Sequence, residues 1–329
     1  MNIIVTGVAG FIGSHVADAL TAAGHVVYGI DNFDPLYPRE TKERNIADLL
    51  SHTGFRFFEA DLLNQQRLNA VFESALRDGR PIDAVVHLAA KAGVRPSIED
   101  PVAYTKSNVE GTVNIMEAMA ANDVRDLVFA SSSSVYGNTE EVPFTEEAVV
   151  DYPISPYAAT KKACELLSHT YAHLHKMRVA ALRFFTVYGP RQRPDLAIAK
   201  FSRLIDREST IPFYGDGSTE RDYTYIDDTV DGVVKSMDWL MAQEPGTFEV
   251  FNLGESRTVS LTRLVEIIEE AVGKKARIDR QPPQPGDVIR TYADISKAKR
   301  TFGYNPSVSI EEGVKKQVAW MREQAPEEE

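Results

Sequence analysis

Tyr157 and Lys161 stand four residues apart in SPYAATKKACELL (155–167). In a helix that spacing puts both on one face. An ammonium beside a phenol lowers its pKa and favours a phenolate able to take a proton. The pair alone is also what an aromatic and a surface lysine on any helix look like. A second polar group, ASSSSVYG (130–137), follows an apolar run and offers hydroxyls able to hydrogen-bond a sugar hydroxyl. A third, TVYGPRQRPD (186–195), follows RVAALRFF and crowds Arg191 and Arg193 in among two prolines, where a solvated loop is the plainest account.

The elements that must carry these groups alternate. NIIVT (2–6), HVVYGID (25–31), FRFFEAD (55–61), DAVVHLA (83–89), DLVFASS (126–132) and RVAALRF (178–184) read as strands. Between them lie segments such as SHVADALTAAG and NVEGTVNIMEAMAAND, with apolar residues three and four apart. This alternation implies an α/β fold with right-handed crossovers and a doubly wound parallel sheet of Rossmann type. Such sheets bind ligands beyond the C-terminal ends of their strands. After about residue 185 Pro and Gly become denser, and helical patterns recur at 197–208, 226–241, 260–272 and 309–323. That half is expected to form a smaller C-terminal α/β lobe over the sheet edge. FEVFNLG (248–254) reads as a strand rejoining the first lobe. The expected division is 1–184 with about 225–254 in the sheet domain, and 185–224 with 255–329 in the lobe.

VTGVAGFIGSHV follows the first strand directly. Gly7, Gly10 and Gly13 let the backbone turn tightly and approach a pyrophosphate seated on the next helix N-terminus. The spacing is G-x-x-G-x-x-G, and its place between strand and helix points to dinucleotide binding. Asp31 ends the second strand, where an acid accepts from both ribose hydroxyls of NAD and repels the 2′-phosphate of NADP. Asp61 and Leu62, at the end of the third strand, are placed for the adenine edge. HLAA (87–90) ends the fourth, and its small residues suit a close cofactor approach.

A net charge of −12 over 329 residues argues against a general binder of nucleic acid or anionic membranes. An anionic ligand has to be held by local cations against that field. The single cysteine, Cys164, permits no intrachain disulfide and fits a reducing compartment. MNIIVTG lacks a basic n-region and a long apolar segment, and no apolar run approaches the roughly 20 residues that span a bilayer. A cytoplasmic location is expected. His169, His173 and His175 lack matched carboxylates, so no metal site is expected. His87 reads as a core or cofactor-packing histidine.

Together TGVAGFIG, DN at 31–32, HLAA, SSSSVYG, YAATK and RDYTYIDD resemble the extended short-chain dehydrogenase/reductase family, in its nucleotide-sugar epimerase branch, over nearly the whole chain. The resemblance implies a Ser132–Tyr157–Lys161 catalytic group over tightly held NAD. Ser132 stands four residues before Tyr136, where the family places its catalytic Ser or Thr. Tyr157 would be the base, and Lys161 would bind nicotinamide ribose and tune it. The implied chemistry is transient oxidation at C4 of a UDP-sugar, rotation of the 4-ketosugar, and return of the hydride to its other face. On the cofactor side the likeness implies Gly7, Gly10, Phe11, Ile12, Gly13, Asp31, Asn32, Asp61, Leu62, Leu88, Ala89, Ala90, Lys91, Asn108, Ser131 and Val187, beside Tyr157 and Lys161.

Within the branch, sugar 4,6-dehydratases carry Thr-Asp-Glu before VYG. Here the acid pair is replaced by Ser133 and Ser134, so water elimination lacks its acid and base. AGVRPSIEDP (92–101), SSSSVYG, LRFFTVYGP followed by RPDLA, and YTYIDD resemble UDP-glucuronate 4-epimerases more than UDP-galactose 4-epimerases. Interconversion of UDP-glucuronate and UDP-galacturonate is expected, with UDP-glucose/UDP-galactose epimerisation as the alternative. The likeness sets Thr186 and Arg193 at the sugar carboxylate, with Arg191 outside. Ser132, Ser133, Ser134 and Tyr157 face the sugar. Pro212 and Tyr214 lie by uracil, and Arg221 and Arg290 face the diphosphate unless Asp222 or Asp287 pairs with them. The family pairs helices, here about 101–121 and 156–175, with a second subunit, so a homodimer is expected.

Overall fold

The computed structural model describes residues 1–283 and 288–324; Asp287 and the last five residues of the expected lobe lie outside them. The strands in chain order are β1 (Asn2–Thr6), β2 (Val26–Asp31), β3 (Phe55–Glu59), β4 (Ala84–His87), β5 (Asp126–Ser132), β6 (Arg178–Phe184), β7 (Thr186–Tyr188), β8 (Thr210–Tyr214), β9 (Glu220–Tyr225), β10 (Phe248–Leu253), β11 (Thr258–Ser260) and β12 (Arg277–Gln281).

Seven of them form one parallel sheet in the order β10-β6-β5-β4-β1-β2-β3. Both faces are covered, as the near-continuous apolar runs require. Side chains alternate between two cores with the strand period of two. On β1, Ile3 and Val5 pack with Val16 and Leu20 of helix α1 (Phe11–Ala22), whereas Ile4 packs on the other face with Ile115, Met116 and Cys164. The strand order reverses between β1 and β4, so a crevice opens beyond their C-terminal ends.

The remaining strands are short. β11-β9-β7 form a three-stranded sheet, and β12 pairs with β8. The apolar core runs unbroken from Val5 and Val128 of the main sheet to Ile211, Leu264 and Val314 around these small sheets. β3 and β4 stop short of the expected Asp61 and Ala89, ending at Glu59 and His87. The backbone there turns to side-chain acceptors: Asp61 takes the Leu63 N–H at 2.8 Å, and Thr6 takes those of Leu88 and Ala89.

One ion pair fixes the sheet to the helix Pro156–His175. Arg183 of β6 donates from Nε and Nη2 to the two Glu165 oxygens, each at 2.9 Å, and both side chains are 3% exposed. The Ser131 hydroxyl donates to Glu165 at 2.6 Å. Arg183 Nη1 donates to the Tyr136 hydroxyl at 2.9 Å, which donates to Asn252 of β10 at 2.7 Å. Burial works against the carboxylate, but Arg183 outweighs it and holds the Glu165 pKa below its ordinary value.

Glu165→Gln is expected to cost about 3–5 kcal/mol in urea unfolding, because it leaves Arg183 buried without its counter-charge. Replacing both residues with apolar side chains is expected to recover much of that loss. A Glu165→Gln protein within about 1 kcal/mol of wild type would contradict this account of the pair.

Candidate functional site

A cleft of about 480 Å³ lies along the C-terminal edge of the sheet. Its floor is the loop from β1 to α1. Gly7 has φ +71°, and a Cβ there would sit 2.9 Å from the Ala89 backbone. A Cβ on Gly13 would fall 2.1 Å from the Gly7 carbonyl oxygen. Only glycine permits this close stacking of loop, helix and the β4 end. Gly10 caps α1 without a side-chain bond, leaving first-turn N–H groups beside Gly7, Phe11, Ile12 and Gly13 in the cleft wall.

Behind this floor runs a hydrogen-bond relay. Leu88 and Ala89 N–H groups donate to Thr6 Oγ1, each at 3.1 Å. Thr6 Oγ1 lies 2.7 Å from His87 Nδ1, and His87 Nε2 lies 3.0 Å from Thr112 Oγ1. Thr112 donates to the Asn108 carbonyl at 2.6 Å, so it accepts from Nε2–H, and Nδ1 accepts from Thr6. Burial, then the Lys161 charge, pushes the His87 pKa down to about 3, so the ring is neutral. The relay shapes the wall made by Leu88, Ala89 and Ala90.

Asp31, Asn32, Asp61 and Leu62 line the end of the cleft beyond β2 and β3. Asp31 accepts from Ala9 N–H at 3.0 Å and Phe33 N–H at 2.8 Å, one on each oxygen. Asn32 donates to Asp61 at 2.8 Å. Lys91 also lines the cleft, but its ammonium is paired with Asp34 at 2.7 Å. Asn108 departs from expectation. Its amide accepts from the Lys91 N–H and donates to the Lys91 carbonyl and Thr160, so it sits behind the wall and braces residue 91. Sequence reasoning missed Asp34, Tyr37 and Lys42, which line the same end. Lys42 donates to the Asp34 carbonyl and lies over the Tyr37 ring, contacts that only the folded loop creates.

At the centre the cleft gathers Ser131, Ser132, Ser133, Ser134, Tyr157 and Lys161. The β5 end presents the serines, and the 3₁₀ turn Ser133–Tyr136 is capped by Ser132, whose oxygen accepts the Ser134 N–H at 3.1 Å. Ser155 caps the helix that carries Tyr157 and Lys161, with Pro156 in its first turn. Lys161 donates to the Ala130 carbonyl at 2.6 Å, and burial pushes its pKa down to about 8. Burial raises the Tyr157 pKa, and the Ser132 hydrogen bond and the Arg193 charge pull it back. Lys161 Nζ lies 6.0 Å from the Tyr157 ring centre while it donates to the carbonyl, and Arg193 is a second cation, unforeseen in the sequence, whose charge pulls the Tyr157 pKa down.

The TVYGPRQRPD loop sends its arginines opposite ways. Arg191, at φ +63°, turns back to Asp18 of α1 at 2.6 Å. Arg193 enters the cleft beside Thr186 and Val187. Its Nε and Nη2 donate to Asp195 at 3.1 and 2.7 Å, and its Nη1 to the Ala92 carbonyl on the opposite wall at 3.2 Å. Burial opposes its charge, and Asp195 raises its pKa despite that.

Pro212, Tyr214, Arg221 and Arg290 are not among the cleft walls. Pro212 and Tyr214 belong to β8, and the guanidinium of Arg95, the chain neighbour of the cleft residue Val94, lies 5.0 Å from the Tyr214 ring centre. Arg221 and Arg290 converge on Glu220. Arg290 forms an ion pair with its carboxylate, and Arg221 donates to its carbonyl at 2.9 Å. The suggested Asp222 partner is instead buried, accepting from Glu255, Ser256 and Ala293 N–H groups.

A family model described as GDP-mannose 4,6 dehydratase matches residues 4–317. The chain is 43% identical over 321 residues to a UDP-glucuronate 4-epimerase of Thermodesulfobacterium geofontis, covering 97% of this chain and 96% of the relative. It matches the solved structure of Bacillus cereus UDP-glucuronic acid 4-epimerase in complex with UDP-glucuronic acid and NAD at a TM-score of 0.91 and 34% identity, over 99% of this chain and 100% of that one. It also matches the UDP-glucose 4-epimerase of Thermus thermophilus in complex with NAD, at a TM-score of 0.86 and 32% identity, over 99% and 100%.

Lys161→Met is expected to stabilise the ligand-free protein by about 1–3 kcal/mol at pH 7, read by urea unfolding, since it removes a buried ammonium. The folded pKa of about 8 lies below the ordinary 10.5. The penalty is therefore complete below pH 8 and is relieved as pH rises through about 8 to 10.5, so the gap between variant and wild type closes over that window. A variant less stable than wild type at pH 7 would show that Lys161 is not a strained charge.

Proposed function

The chain belongs to the GDP-mannose 4,6-dehydratase family of extended short-chain dehydrogenase/reductases, and within that family we propose that it is an NAD-dependent UDP-glucuronate 4-epimerase, interconverting UDP-glucuronate and UDP-galacturonate. Arg193 carries this reading. In a chain of net charge −12, it brings a guanidinium into the cleft with Tyr157, while Arg191 of the same loop holds α1. A neutral hexose offers such a group only hydroxyl acceptors; a uronate gives it a carboxylate of opposite charge. Dehydration, the reaction after which the family is named, needs an acid pair, and those positions are Ser133 and Ser134.

The glycine cradle, the open α1 N-terminus and the Asp31 carboxylate fit NAD, with Asp31 disfavouring a 2′-phosphate. Bound there, NAD supplies reversible oxidation at the sugar C4. The protein's part is proton transfer and positioning. Tyr157 takes the O4 proton and later returns it, with Ser132 hydrogen-bonded to its hydroxyl. Lys161, held on the Ala130 carbonyl, orients the ribose end of the cofactor. Thr186 and Arg193 hold the sugar carboxylate. The described residues of 185–224 and 255–329 form the nucleotide-sugar lobe, where Pro212 and Tyr214 meet uracil and Arg221 and Arg290 the diphosphate.

A second copy of the chain fits the face formed by the segment from Pro101 to Ala121 and the helix Pro156–His175. Val102, Leu166 and Leu174 are exposed there, which a homodimer would cover. The free, buried Cys164 suits a reducing cytoplasm. Sedimentation of Leu166→Glu/Leu174→Glu is expected to give monomer where wild type gives dimer; a wild-type monomer would discard the dimer.

Arg193→Ala is expected to lower kcat/KM for UDP-glucuronate by about two orders of magnitude, the loss of a charge-assisted pair of hydrogen bonds. Turnover of UDP-glucose, followed by the same NMR assay of 4-epimer ratios, is expected to change little. Wild-type turnover of neutral sugars only, or an equal loss on both substrates, would favour the UDP-glucose/UDP-galactose reading.

A further inference from the structure

We propose, on the uronate reading above, that Asp195 is the positioning residue that sets the orientation of Arg193 and thereby decides whether the oxidised sugar keeps its carboxylate. A guanidinium carries five N–H groups. Asp195 takes one from Nε and one from Nη2, and the Ala92 carbonyl takes one from Nη1. One N–H then remains on Nη1 and one on Nη2. The Nη2 hydrogen left over lies at the end of the guanidinium plane, and with the one left on Nη1 it can donate to a carboxylate. Asp195 therefore fills the side of the guanidinium and presents its end.

The holder is itself held. Arg203 of the helix Ala197–Asp206 donates to the Pro194 carbonyl, and its charge helps keep Asp195 ionised. Pro194 fixes the backbone between the two partners. Arg193 is gripped from its own loop by Asp195 and from the opposite wall by Ala92, so rotation about its last torsions is blocked from both sides.

The reaction makes this orientation consequential. Oxidation at C4 turns a uronate into a β-keto acid. If the C5–C6 bond lines up with the carbonyl π system, it breaks. Its electron pair flows into the C4 carbonyl to give an enolate, CO2 leaves, and C5 takes a proton from water. The product is a UDP-4-ketopentose, and the nicotinamide that accepted the C4 hydride stays reduced. A carboxylate held end-on by an Arg193 that cannot turn is kept out of that alignment.

The test uses the full chain with NAD and carboxyl-labelled UDP-glucuronate, following both 4-epimers, labelled CO2 and UDP-4-ketopentose by NMR. For Asp195→Ala, KM is expected to rise about tenfold with a smaller change in kcat, and CO2 released per epimerisation to rise about tenfold. Asp195→Asn keeps one acceptor oxygen at the fork and is expected to fall between wild type and Asp195→Ala. The melting temperature is expected to fall modestly, because Arg193, 13% exposed, loses its acid, so KM and CO2 release are read on protein shown to be folded by circular dichroism. Wild-type KM and wild-type CO2 release in Asp195→Ala would overturn the proposal, as would a fall in KM, which would make Asp195 a competitor for the guanidinium. A wild-type protein that does not epimerise UDP-glucuronate would overturn the functional reading, and this proposal with it, before any substitution is made.

Discussion

Two opposite charges, Glu165 and Arg183, share the interior between the main sheet and the helix Pro156–His175, and the arrangement of the cleft follows from how they are satisfied. Desolvating both is costly unless each remaining lone pair and proton finds a partner. Ser131, Tyr136 and Asn252 supply those partners, drawn from the ends of β5, the 3₁₀ turn and β10. Tyr157, Lys161 and Glu165 recur every four residues along one helix face. Anchoring Glu165 therefore fixes where the other two point. Lys161 reaches the Ala130 carbonyl, and Tyr157 reaches Ser132, one strand end away. The pair also acts through charge: behind Cys164, Glu165 partly offsets the burial that lowers the Lys161 pKa.

Two cations of the cleft carry acids, whereas Lys42 and Lys161 donate to backbone carbonyls. Lys91 meets Asp34, and Arg193 meets Asp195. In an acidic chain each of these local positive groups carries its own acid, which keeps a partly buried charge from standing alone. Arg191 and Arg193 show how position sorts such groups. They share a loop, yet the left-handed backbone at Arg191 turns its side chain to Asp18 on α1, whereas Arg193 crosses to Ala92. One arginine fastens the loop; the other faces the cleft that the fastened loop helps close.

The parallel sheet was legible because its signals are local. Buried strands announce themselves by β-branched runs, the glycine turn by its place after the first of them, and Asp31 by its distance from that turn. The strands β7, β9 and β11 were not, since β7 and β11 have three residues each and none has a periodic signature. Asn108 was read as a cofactor contact because sequence cannot tell a wall from its brace; three hydrogen bonds to Lys91 and Thr160 put it behind. The Thr6–His87–Thr112 relay joins residues 81 and 25 apart in the chain and leaves no trace in spacing. Asp195 was in plain view within RPD, but its role depends on which N–H groups of Arg193 it occupies, and that is a matter of angle.

On the proposed function, recognition and proton transfer are coupled through one group. Arg193 is the charge that eases Tyr157 towards phenolate, and it is also the group that meets the sugar carboxylate. A bound uronate places a negative charge on the guanidinium and cancels much of its field at Tyr157. A neutral sugar leaves that field intact. The lowering of the phenol pKa then has to come from elsewhere once the preferred substrate is in place, and the cation one turn along the same helix is Lys161. Its ammonium bears on Tyr157 only while it is protonated, and burial has brought its pKa to about 8, close to neutrality. Cys164 and then Glu165 act against that lowering. The buried ion pair that fixes the geometry of the cleft thus also favours the charged form of the lysine that stands 6.0 Å from the Tyr157 ring centre.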